Sequence, residues 1–339
     1  MEATNIQVLF FQHIKNLLPS HIALVDAIAD VLNISNDSAY RRIRGEKIIS
    51  LDEVSKLAAH FKLSVDQVLN LETSEAAVFS GKYIIPANFD FGMYLQQMLR
   101  DLTFVNSFKN RWLIYFCKDI VVYYYFAYPE LAAFKNYAWM KTLLQFSALA
   151  HEPFHTDIFE KATLDTCVKI VRQYTMMPGS EIMNVNNIHT TLNQIEYYKT
   201  ARMFRSDDEL KIIYKQLHDM IDHIEAQAEC GLKFMPGEKE NSQSPEYRLY
   251  VNSFVTGDNS HFVIMEGSKA SFMVHSHVNY LSTTDERLTT YQYNFLNNVM
   301  QKSILLSKSG DQLRSGFFYL IHEEIEKSRN NQMQTFGKY

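Results

Sequence analysis

Between residues 41 and 47 four cations, Arg41, Arg42, Arg44 and Lys47, stand against a single carboxylate, Glu46. A guanidinium is a planar fork of donors that matches O6 and N7 of guanine, so arginines on the outer face of a short helix can read a major groove. Asn36, Ser38, Tyr40, Arg41, Arg42, Arg44 and Lys47 are therefore the candidate DNA contacts. Elsewhere, His151-Glu152-Pro153-Phe154-His155 spells the His-Glu-x-x-His pattern of zinc hydrolases, a chemistry that needs both histidines on one face of a continuous helix. Pro153 removes an amide donor and clashes with the preceding turn, so no metal site is expected there, and no cofactor elsewhere. Tyr123 and Tyr125 alternate within an aromatic run and would share one face of a strand, as would His275 and His277. These four are the candidate ligand-binding residues, supplying an apolar wall with polar tips. No glycine pattern for cradling a nucleotide or for a hydrolase elbow occurs, and no enzymatic activity is expected.

The elements that must position these residues follow from periodicity. Ile6, Leu9, Phe10, Ile14, Leu17 and Leu18 recur at helical spacing up to Pro19, and Leu24, Val25, Ile28, Ala29 and Leu32 form a second stripe ending at Asn33. Ser35 offers an N-cap to a third helix that runs to Gly45, which can take a positive φ. Ser50 and Glu53 make a capping box for a fourth helix, and Ser64-Val65-Asp66-Gln67 repeats it for a fifth. A linker is expected over residues 72–88. Beyond it, Trp112 to Cys117 and Ile120 to Ala127 read as two paired strands, and Pro129 as the start of a helix reaching Phe146. Helices are expected over 157–174, 188–204 and 208–230, four short strands between Tyr247 and Ser282, and two closing helices over 286–306 and 312–329.

Composition bounds these readings. Only 11 glycines and 7 prolines occur in 339 residues, about 5% where an average protein has roughly 12%, which leaves room for long helices and excludes low-complexity classes. A net charge of −5 announces neither a nucleic-acid binder nor a membrane-surface protein, so any DNA contact has to be the local patch. Three scattered cysteines with no Cys-x-x-Cys pair fit free thiols in a cytoplasmic protein. The run Trp112 to Tyr128 is broken by Lys118 and Asp119 and is too short to span a bilayer, so no membrane association is expected.

Residues 22–70 resemble the lambda-repressor-like, Cro/CI-type helix-turn-helix family. The resemblance rests on Ile28-Ala29-Asp30-Val31-Leu32-Asn33-Ile34-Ser35, on Ala39-Tyr40-Arg41-Arg42-Ile43-Arg44-Gly45, and on Ser50-Leu51-Asp52-Glu53-Val54-Ser55-Lys56-Leu57-Ala58 with Leu63-Ser64-Val65. Ala29 matches the small residue at the helix crossing, and Ile34 the apolar residue of the turn. Arg42 falls where the family has an apolar residue, so either the recognition helix is rotated or Arg42 snorkels past the core. The resemblance implies an all-α five-helix DNA-binding domain over residues 1–71. The remainder, 89–339, is expected to be a predominantly helical α+β domain with a small antiparallel sheet, serving dimerisation and effector sensing. The implied function is a sequence-specific transcriptional regulator, a homodimer on a double-stranded operator that responds to a small-molecule or peptide effector and sits with the nucleoid. The alternative is an adaptor that uses the helix-turn-helix as a protein-binding face.

Overall fold

The computed structural model describes residues 5–19, 21–63, 65, 77–82, 89–116, 118–254, 260–275 and 279–330. The chain opens with α1 (Ile6–Leu17), α2 (Leu24–Leu32), α3 (Asn36–Ile43) and α4 (Leu51–Phe61). Phe10, Phe11, Ile14, Ile28, Ala29, Leu32, Ala39 and Leu57 form their shared core, the positions that helical spacing places on one stripe of each helix. The expected fifth helix lies, apart from Val65, outside the described residues.

Within the stretch read as a linker, Ser80–Lys82 forms a short edge strand, β1. It is followed by α5 (Phe91–Asn106), β2 (Arg111–Phe116), the single turn α6 (Val122–Tyr125) and α7 (Pro129–Ala138). Next come α8 (Lys161–Thr175), β3 (Gly179–Met183), α9 (His189–Thr200) and α10 (Asp207–Cys230). The chain then forms β4 (Tyr247–Val251), β5 (Ser260–Met265), β6 (Ser268–His275) and β7 (Asn279–Thr283). It closes with α11 (Glu286–Gln301), β8 (Ile304–Leu305) and α12 (Asp311–Asn330).

The sheet corrects the expectation of a small antiparallel one. Eight strands run in the order β1-β7-β6-β5-β2-β3-β4-β8. β2, β3 and β4 are mutually parallel, and the other pairs are antiparallel. Parallel neighbours require long crossovers, and the helices α6 to α10 supply them. One face carries the main core, where Leu113, Met183, Leu249 and Val263 meet the helices. On the other, Leu296 and Val299 of α11 cover Ile114, Phe116, Ile182 and Phe262. All five residues of β3 are buried, as a central strand covered on both faces must be. A side chain at Gly179 would place its Cβ 2.5 Å from the Leu113 carbonyl oxygen, so this close strand approach needs glycine.

A second correction concerns residues 120–127. Only the first half of the expected hairpin is a strand; Val122–Tyr125 turn once as a helix and Tyr123, Tyr124, Tyr125 and Phe126 are all buried. A continuous apolar run carries no period that separates strand from buried helix, and here the rings fill the core in every direction. The helix expected from Pro129 to Phe146 begins on time, with Pro129 in its first turn, but passes into a π-turn at Trp139–Leu143. The His151–His155 segment is irregular chain, with Phe154 bridging to Phe204, so its histidines do not share a helical face. No helix among the described residues is long and apolar enough to cross a membrane.

Candidate functional site

The turn between α2 and α3 is built by Asn33, whose αL conformation (φ 53°, ψ 54°) ends α2 while its amide donates back to Ala29 and Asp30 carbonyls. The Ser35 hydroxyl then accepts from the Ser38 amide at 3.3 Å and starts α3. At the far end Gly45 takes φ +75°, and a Cβ there would come within 2.7 Å of the Asn5 side chain. Gln7 of α1 holds the loop that follows. Its amide nitrogen donates to the carbonyls of Arg42 and Lys47, both at 2.7 Å, and its oxygen accepts from the Ile49 amide at 3.1 Å.

The structure sorts the seven candidate DNA contacts into two groups. Tyr40, Arg41 and Arg44 lie on the solvent side of α3 and Lys47 just beyond it, all exposed. The Arg44 guanidinium sits 5.5 Å from the Tyr40 ring centre and 3.2 Å from the Glu46 carboxylate, so it is braced over the surface. Asn36 is also exposed but donates to Asp26 at 2.9 Å. Ser38 is half-buried, its carbonyl accepting from Arg42.

Arg42 itself points inward. It is 6% exposed, and its Nε and second terminal nitrogen grip Glu53 at 3.1 and 2.6 Å. Glu53 simultaneously accepts from the Ser50 amide, so one carboxylate caps α4 and anchors α3. The hydrogen bonds from Arg42 hold the Glu53 carboxyl below the ordinary carboxylate range. Nothing in residue type separates Arg42 from its neighbours; the signal was positional, an arginine in a place where the resemblance has an apolar residue, three-dimensionally opposite Glu53. Arg42→Ala is expected to lower the stability of the N-terminal helices by about 3 kcal/mol, because it leaves Glu53 half-enclosed without its cation. Chemical denaturation read by far-ultraviolet circular dichroism would check this, and a loss under 1 kcal/mol would contradict it. The Arg42–Glu53 contribution is present above the ordinary glutamate pKa and disappears as pH falls through the lowered value in the fold.

The candidate ligand residues fall differently. Tyr123 and Tyr125 both line a cavity of about 800 Å³ between α5 and the inner face of β2, β5, β6 and β7. They do so from one helical turn rather than from one face of a strand. His275 ends β6 opposite Asn279 in the strand register, and His277 lies outside the described residues. What the sequence reading missed is the rest of the lining. Tyr115, His261 and Phe272 are cross-strand neighbours on β2, β5 and β6, and their rings stack in parallel, with centres 5.3 and 4.8 Å apart and planes within 9°. The alternation in β2 and β5 was the available signal. At the cavity's polar end the Lys135 ammonium donates to Asp119, Thr191 and Gln194, at 2.9, 2.9 and 3.1 Å, and Tyr125 donates to Asp119 at 2.7 Å.

A short capped helix braced from within and cationic without, following a tight turn from the helix before it, defines a helix-turn-helix-type DNA-binding domain. Residues 9–99 match the family model of the BetR domain, a domain of that type, which covers about a quarter of the chain and runs past the expected linker into α5. Comparison with curated proteins and with solved structures gives no match.

Proposed function

We propose that the protein is a sequence-specific transcriptional regulator, of Cro/CI-like type in its first 71 residues, and not an enzyme. The observation that carries this reading is the division of labour on α3: Arg42 is spent on Glu53, and that anchor leaves Tyr40, Arg41, Arg44 and Lys47 together on the solvent side. A groove-reading helix needs this combination, because phosphate contacts fix its register and base contacts are specific only when the helix cannot rotate. The C-terminal domain would dimerise the chain, since one such module buries only about 600–1,000 Å² on DNA and useful affinity needs two half-sites. It would also sense an effector in the cavity beneath the sheet, and the protein would act in the cytoplasm.

Selection of bound duplexes from a random pool by the full chain tests this directly. Enrichment of a two-fold symmetric motif with half-sites about 10 bp apart is the expected result. The adaptor reading draws on a different observation: Ile48 and Leu51, beside the cations, are 85% and 87% exposed, as a protein-docking face would have them. An adaptor would enrich no sequence.

A further inference from the structure

The cavity under the sheet also carries information about what it holds, an inference that rests on the reading of the C-terminal domain as a sensor. Its volume of about 800 Å³ is that of a site for a drug-sized molecule. Three cations and three carboxylates line it, Arg100, Lys118, Lys135, Asp90, Asp101 and Asp119, and each has a partner within the protein. Lys135 uses all three of its donors on Asp119, Thr191 and Gln194. Asp101 accepts from Tyr280 at 3.0 Å and from Gln97 at 2.6 Å. The buried ammonium of Lys135 is already neutralised by Asp119, so an ion at this end of the cavity would lose its water and find no free counter-charge.

One polar group differs. His261 sits in the middle of the aromatic stack, lines the cavity, and its Nδ1 is buried with no hydrogen-bond partner among the described residues. Burial pushes its pKa down to about 4, so the ring is neutral and its Nδ1, according to tautomer, either donates or accepts one hydrogen bond. A buried polar atom left without a partner is costly, and a bound molecule that shifted the ring enough to reach Nδ1 would relieve that cost. We infer that the cavity takes an uncharged aromatic compound with one hydroxyl, carbonyl or N–H directed at His261, and that it discriminates against anions.

Two dyes with one skeleton test the charge rule on the full chain: N-phenyl-1-naphthylamine, which is neutral, and its sulfonated counterpart 1-anilinonaphthalene-8-sulfonate. The neutral dye is expected to bind saturably, one per chain, and at least about tenfold more tightly than the sulfonate. Met98→Trp, which fills the cavity from α5, should abolish that binding while leaving circular dichroism and melting unchanged; Val274→Trp, from the sheet side, serves if the first variant does not fold. His261→Phe keeps the stack and should weaken the neutral dye about fivefold. If both dyes bind equally and both are lost in Met98→Trp, the cavity is a ligand site but the inferred class is wrong. If neither dye binds, the sensing reading falls with it. Dye binding that survives both tryptophan variants places the dye elsewhere and overturns the inference.

Discussion

Replacing Arg41, Arg44 and Lys47 together by alanine should lower affinity for the selected duplex at least about 100-fold at physiological salt and leave the melting temperature unchanged. Each bidentate arginine contact is worth about 1–3 kcal/mol, and tenfold in affinity corresponds to about 1.4 kcal/mol, so two such contacts alone reach this value. Lys47, beyond the end of the helix, would add a phosphate contact. If all three cations meet phosphate or base edges, the slope of log affinity against log salt should shrink by roughly 2 to 3, since each neutralised phosphate contributes about 0.9. Unchanged stability is part of the prediction, because the three side chains are exposed and none takes part in the Arg42–Glu53 anchor. Electrophoretic mobility shift across a salt series, with thermal melting of the same preparations, measures both. A loss of less than tenfold would remove these cations from the DNA interface.

The contrast with Arg42 shows where sequence reasoning about the site reaches its limit. The patch was legible as a group, because charge density between residues 41 and 47 is visible in one dimension. Which member turns inward depends on where Glu53 of the next helix arrives, 11 residues later and across a loop held by Gln7. Local capping signals, by contrast, translated directly into structure: Ser50 and Glu53 form their reciprocal box, and Gly45 takes the positive φ expected of it. The strands between Tyr247 and Thr283 were legible for a similar reason, since alternation and turn residues are short-range.

β3 was not legible, and its composition explains why. Gly179-Ser180-Glu181-Ile182-Met183 has no alternation and places a carboxylate at its centre, features that argue against a strand in isolation. The sheet accepts it because distant residues supply what local sequence lacks. Gly179 permits the close approach to β2, and tyrosines from α6, α8 and β4 satisfy Glu181. The same dependence on distant partners hides the cavity, whose stacked rings come from three strands adjacent in space but separated by more than 140 residues between β2 and β5.

Glu181 carries the other large expected effect. Its carboxylate accepts hydrogen bonds from Tyr124, Tyr174 and Tyr247 and faces Lys233, whose buried ammonium lies 3.7 Å from the Tyr174 ring centre with no hydrogen-bond partner among the described residues. Burial lowers the Lys233 pKa from the ordinary 10.5 to about 8, with Glu181 opposing the shift. Glu181→Leu would strand three buried hydroxyls and an uncompensated cation, a change worth at least about 4 kcal/mol against the fold around the sheet. Lys233→Met leaves the carboxylate its three hydroxyl donors and removes a cation that burial disfavours, so it should be neutral or stabilising at pH 7. Adding Lys233→Met to Glu181→Leu should then restore part of the loss, and an additive pair of effects would show that the two groups do not interact. The pH dependence has a definite sign. Below pH 8 the lysine is charged in both states and the burial penalty is fully felt; as pH rises from 8 toward 10.5 the folded chain releases the proton first, and stability increases. The tyrosines oppose this near pH 10, because burial raises their pKa in the fold above the ordinary 10. Urea unfolding between pH 7 and 9.5 should therefore show a rising limb in the natural chain that Lys233→Met flattens, and a flat profile in both would mean that the buried ammonium is not the titrating group.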